Sequence, residues 1–72
     1  MTSVEIGKQT VENEIANDIY RLYISIKKRM GDDVEPLKQE RDEMLLGKTE
    51  FAKKALEIYA KEIEEYYESL KD

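Results

Sequence analysis

The last third of the chain repeats an apolar residue at alternating steps of four and three, at Ala52, Leu56, Tyr59, Ile63, Tyr66 and Leu70. That spacing is the seam of an amphipathic helix, and Lys53, Lys54, Glu57, Lys61, Glu64, Glu65 and Glu68 fill its other side. A second stripe runs through Val11, Ile15, Ile19, Leu22, Ile26 and Met30. Thr10 can cap that helix, Glu12 and Glu14 suit its first turn, Lys27, Lys28 and Arg29 suit its last, and Gly31 stands just beyond as a stop. Thr2 and Glu5 have capping-box spacing that could extend the helix backwards, but Gly7 weakens the extension, so residues 1–9 are expected to fray.

Asp32, Asp33 and Val34 read as a connection. The second helix then opens near Asp33 or Glu35, with Pro36 at a tolerated first-turn position, and runs to about Leu46. Leu37, Met44, Phe51 and Ile58 recur every seven residues, as one uninterrupted helix would give. Continuation, however, would put Arg41 and Lys48 inside the apolar stripe and Leu46 on the charged face. Gly47 followed by Thr49 is a good stop and restart, so a break or kink is expected there.

The stripe of the last helix is wide. Phe51, Ala55 and Ile58 lie at one edge and Leu56, Ile63 and Tyr67 near the other, about half the circumference at about 100° per residue. One neighbouring helix cannot cover that, so the seam needs two more helices or a second subunit. Tyr20 and Ile24 project opposite the main stripe of the first helix and want cover of their own. The expected architecture is an all-α single domain over residues 1–72, a small bundle of three helices (long, short, long) completed by dimerisation.

Composition supports that need for a partner, because a chain of 72 residues buries only about 60% of its unfolded surface. Cysteine and histidine are both absent, which removes a disulfide framework, thiolate zinc sites and the commonest catalytic base. Seventeen acids against twelve bases give a net charge of −5, unfavourable for a general phosphate-backbone binder and suited to a basic protein partner. Neither a basic, apolar leader nor eighteen consecutive apolar residues can be found, so no membrane span is expected and a cytoplasmic setting is the default.

Candidate chemistry is thin. Glu40 with Glu43, Glu62 with Glu65, and Glu65 with Glu68 have the spacing of carboxylate ligands in di-metal bundles, but such sites pair glutamate with histidine. A solvated charged face explains them better, Glu62 alone falling inside the apolar edge. Asp32, Asp33 and Glu35 lack the alternating ligand order of a calcium loop and read as helix caps. Gly47-Lys48-Thr49 lacks the earlier glycine and the feeding strand of a phosphate-binding loop. With three serines and no histidine or cysteine to work with them, no enzyme activity, cofactor or metal is expected. Among the five tyrosines, Tyr59 and Tyr66 lie on the seam, whereas Tyr20, Tyr23 and Tyr67 fall at stripe edges where interface anchors are found. Tyr20, Tyr23, Ile24 and Tyr67 are therefore the candidate contacts for a partner or second subunit.

One stretch supports a different fold. From Tyr20 to Lys27 the residues alternate, with Tyr20, Leu22, Ile24 and Ile26 on one face and Arg21, Tyr23, Ser25 and Lys27 on the other, as in a strand. In that setting residues 47–59, Gly-Lys-Thr-Glu-Phe-Ala-Lys-Lys-Ala-Leu-Glu-Ile-Tyr, resemble the second helix of ribbon-helix-helix proteins, dimeric DNA-binding repressors and antitoxins. The resemblance covers about residues 20–60 and implies a strand paired across a dimer, with Arg21, Tyr23, Ser25 and Lys27 facing the bases. The start, stop and dipole signals over Thr10 to Gly31 are the stronger local argument for a helix. The expected function is thus a non-enzymatic interaction or regulatory module presenting a helical face, with the DNA-binding repressor or antitoxin, and an acidic mimic of nucleic acid, as its alternatives.

Overall fold

The computed structural model describes the backbone of residues 3–71 and the side chains of residues 10–71. Helix α1 spans Ser3–Arg29. It therefore starts seven residues before Thr10, and the cap expected at Thr2 lies outside the described residues. Gly31, at φ +86°, closes α1: its N–H bonds the Lys28 carbonyl at 3.1 Å while the Asp32 N–H reaches the Lys27 carbonyl at 3.0 Å. This paired closure needs a left-handed residue, which glycine adopts without a Cβ penalty.

Helix α2 spans Glu35–Leu45 with a proline in its first turn, and Asp33 Oδ1 accepts the Glu35 N–H at 3.1 Å. Gly47, at φ +115°, ends α2 by the same device, with Gly47 N–H to the Met44 carbonyl and Lys48 N–H to the Glu43 carbonyl, each 3.1 Å. The chain breaks there, and the seven-residue spacing across Gly47 does not mark one long helix.

The third helix, α3, covers residues 49–69. Its ends are α-helical, Thr49–Lys54 and Ala60–Ser69, but Ala55–Tyr59 forms a π-turn in which the Ala60 N–H bonds the Ala55 carbonyl. Tyr20 meets Tyr59, Tyr23 meets Glu62, and Ile26 and Met30 share a groove with Ile63 and Tyr66. Helices α1 and α3 therefore run in the same direction and α2 returns between them, an up-down-up bundle. The all-α, three-helix architecture is as expected, and no strand occurs among the described residues. Tyr20 to Lys27 lies inside α1, which removes the ribbon and with it the base-facing roles of Arg21, Tyr23, Ser25 and Lys27.

The core joins Ala16, Tyr20, Tyr23, Ile24 and Ile26 of α1, Met44 of α2, and Ala52, Ala55, Tyr59 and Ile63 of α3. On α3 the expected seam is inside at Ala52, Tyr59 and Ile63, while Leu70 is exposed just past the end of the helix. On α1 the buried face is turned from the expected one, keeping only Ile19 and Ile26 of the main stripe against the core. Val11, Ile15, Leu22 and Met30 of the main stripe are exposed, and Tyr20, Tyr23 and Ile24, expected to await a partner, are buried within the chain. The molecule is elongated, 46 × 25 × 14 Å with a radius of gyration of 13.4 Å, against about 11 Å for a compact chain of this length.

Candidate functional site

The choice of face on α1 follows from polar tips as well as from hydrophobicity. A buried tyrosine needs an acceptor for its hydroxyl. Glu40 of α2 supplies one: its Oε1 lies 3.1 Å from the Tyr20 hydroxyl and 2.9 Å from that of Tyr59. Lys54 Nζ stands 3.3 Å from both Glu40 oxygens, so three donors from two helices converge on one carboxylate. The Tyr20 hydroxyl also lies 3.2 Å from the Phe51 carbonyl oxygen. Tyr23 finds its acceptor in Glu62, the one glutamate whose position inside the apolar edge had set it apart.

The rings are packed as closely as the tips. Tyr23 and Tyr59 stack with centroids 4.4 Å apart, Tyr20 meets Tyr59 edge-on at 5.4 Å, and Lys54 Nζ lies 5.3 Å from the Tyr59 centroid. Burial, reinforced by Glu40, pushes the Tyr20 hydroxyl far above its ordinary ionisation range, and burial with the Glu62 hydrogen bond does the same for Tyr23. Burial also raises Tyr59, with Lys54 opposing and Glu40 adding to the rise. These phenols stay protonated and donate. Through these bonds the cluster clasps all three helices together.

The π-turn belongs to this clasp. A π-turn carries one residue more than an α-turn and delays the helical register. Here it spans the residues that bring Tyr59 to Glu40 and to both α1 rings. The sequence reading did not foresee it. Its signal was the presence of Ala55 and Leu56 as rival seam positions, of which Ala55 is the one fully buried.

The other sequence candidates separate. Glu40 and Glu43 do not act together, because Glu43 turns to Lys48 at 3.5 Å. Asp32 pairs with Lys27 at 3.8 Å. No three acidic side chains among the described residues are placed to hold a metal ion, and no described helix is long and apolar enough to cross a membrane. Between the end of α1 and α3 lies an open groove of about 310 Å³, walled by Ile26, Met30, Ile63 and Tyr66. Lys27, Glu62 and Glu65 edge it, the first two already engaged by Asp32 and Tyr23.

Besides single exposed apolar side chains such as Leu45, Leu46 and Ile58, two faces of the long helices stay at the surface. The first is the outer face of α1, with Val11 53%, Ile15 47% and Leu22 40% exposed. The second is the outer face of α3, where Glu57, Glu64, Glu65 and Glu68 are exposed together with Tyr67, the one predicted contact residue that stays at the surface. The architecture is thus a three-helix bundle held by a tyrosine–carboxylate clasp. Comparison with family models, curated proteins and solved structures gave no match for this chain.

Proposed function

We propose that this protein is a non-enzymatic interaction module, cytoplasmic and dimeric, that works by presenting helical surface to other protein chains. The observation that carries the reading is the outer face of α1, where Val11, Ile15 and Leu22 form an aliphatic stripe that the chain's own bundle leaves bare. Such a stripe in water is unfavourable by about 25 cal/mol for each Å² of apolar surface, which another helix can recover by covering it. The acidic face of α3 sets the sign of the partner. With the chain at −5, a basic surface is drawn in faster at low salt, and Tyr67 offers it an aromatic contact.

Affinity capture from cell extract at low and high salt, with the wild type and with Ile15→Lys and Tyr67→Ala variants, tests the reading. The expected result is a bound set that weakens with salt and shrinks in at least one variant. A bound set indifferent to both substitutions and to salt would overturn it.

A further inference from the structure

Between residues 10 and 29 the charges of α1 are sorted by sign: Glu12, Glu14 and Asp18 come first, then Arg21, Lys27, Lys28 and Arg29. Compensation of the helix dipole acts only within the first and last turns. The dipole accounts for Lys27, Lys28 and Arg29 in the last turn, but because α1 begins at Ser3 the three acids stand well inside the helix and Arg21 lies two turns before its end, so it does not account for those four. The bare aliphatic stripe of Val11, Ile15 and Leu22 runs through the same stretch.

A helical stretch whose acids precede its bases, as those of residues 12–29 do, complements an antiparallel copy of itself better than a parallel one. We propose that two copies of this chain pair antiparallel along the outer faces of α1, with Leu22 of one copy against Ile15 of the other. Glu12 and Glu14 of each copy then lie toward the Lys28 and Arg29 end of its mate. Asp18 and Arg21, joined within the chain by an exposed 3.8 Å contact of little worth, sit close to the twofold axis and are free to exchange partners.

This inference rests on the reading of α1 as a contact face and adds to it the occupant and the direction.

The native chain has no cysteine, so the exposed positions Asp18→Cys and Arg29→Cys can each carry one spin label in the full chain. In the proposed register the two labels at position 18 lie side by side, while those at position 29 are separated along the axis by roughly 30 Å at about 1.5 Å per residue. Sedimentation should give twice the chain mass, and Leu22→Lys should return it to the monomer with its helical circular dichroism retained. A dimer with short distances at both positions would overturn the antiparallel arrangement, and a dimer indifferent to Leu22→Lys would overturn the choice of face. A monomer at all concentrations would overturn the pairing and with it the dimeric part of the proposed function, while the reading as a module that contacts other proteins stands or falls on the capture experiment.

Discussion

Ala16, Tyr20, Tyr23 and Ile24 line one side of α1 and are between 0 and 9% exposed, while Val11, Ile15 and Leu22 line another side of the same helix at 40 to 53%. By aliphatic character alone the second side is the better core, since it carries no polar side-chain atom. The bundle buries the first because its members are specific. Ala16 is small enough for close approach, and the tyrosines find ring partners and acceptors in Tyr59, Glu40 and Glu62. Aliphatic surface can be covered by any apolar neighbour, whereas a buried phenol is tolerated only where an acceptor waits. The inner face thus fixes one arrangement of three helices, and the outer face is left exposed.

The sharpest way to break this contrast is to truncate the inner face. Tyr20→Ala removes a fully buried ring and should cost about 3–5 kcal/mol, as aromatic-to-alanine changes in cores do, enough to unfold most of a domain this small. Thermal unfolding followed by circular dichroism would show it. Tyr20→Phe keeps the ring and should lose only about 1 kcal/mol for the hydroxyl. Equal losses in the two variants would mean that the hydroxyl, not the ring, holds the face.

A smaller effect is expected at the acceptor. Glu40→Ala leaves the Tyr20 and Tyr59 hydroxyls and Lys54 without their shared carboxylate, and an unsatisfied buried group costs about 1–3 kcal/mol. Urea unfolding should show a lower midpoint with little change in slope. Since Lys54 is partly exposed, Lys54→Ala should cost less than Glu40→Ala. The reverse order would show that the ion pair, not the pair of phenols, is what Glu40 serves.

How much of this was legible follows from the same physics. The three helices, both glycine stops and the restart at Thr49 come from local rules, because Gly31 and Gly47 meet requirements set within a few residues of themselves. The face of α1 was not legible. Its apolar arc, from Val11 through Ile15, Ile19 and Tyr23 to Ile24, covers roughly 220° at about 100° per residue, more than two neighbours can bury. Which part is buried depends on Glu40 and Glu62, distant in sequence and readable there only as surface charges. Glu62, noticed for its place in the apolar edge, was the one hint. Tyr20, Tyr23 and Ile24, read from the sequence as contacts for a partner or second subunit, are covered by the chain itself.

Alkaline titration separates the faces by a third route. Tyr20, Tyr23 and Tyr59 all ionise at higher pH when folded, chiefly through burial, while Lys54 is held protonated chiefly by its hydrogen bond to Tyr59. Groups raised in the folded state contribute stability fully below their unfolded values and lose it as pH rises through the folded ones. Stability should therefore be level near neutrality and fall above about pH 10, where unfolded tyrosines ionise, by about 1.4 kcal/mol per pH unit for each proton retained. Val11, Ile15 and Leu22 have nothing to titrate. Urea midpoints between pH 8 and 11, beside those of Tyr20→Phe with its shallower expected fall, check the assignment.

The smallest expected effect is the most discriminating. Leu22→Lys places a charge on the outer face, where the side chain is already 40% exposed, and in a dilute monomer should change stability by no more than about 0.5 kcal/mol. If the two faces differ as described, the substitution acts through association alone. The wild type should then melt higher as protein concentration rises, because pairing stabilises the folded chain by mass action, while Leu22→Lys melts at one temperature throughout. A large loss in the dilute variant would mean that Leu22 belongs to the monomer's core, and the division of α1 into a specific inner face and an available outer one would fail.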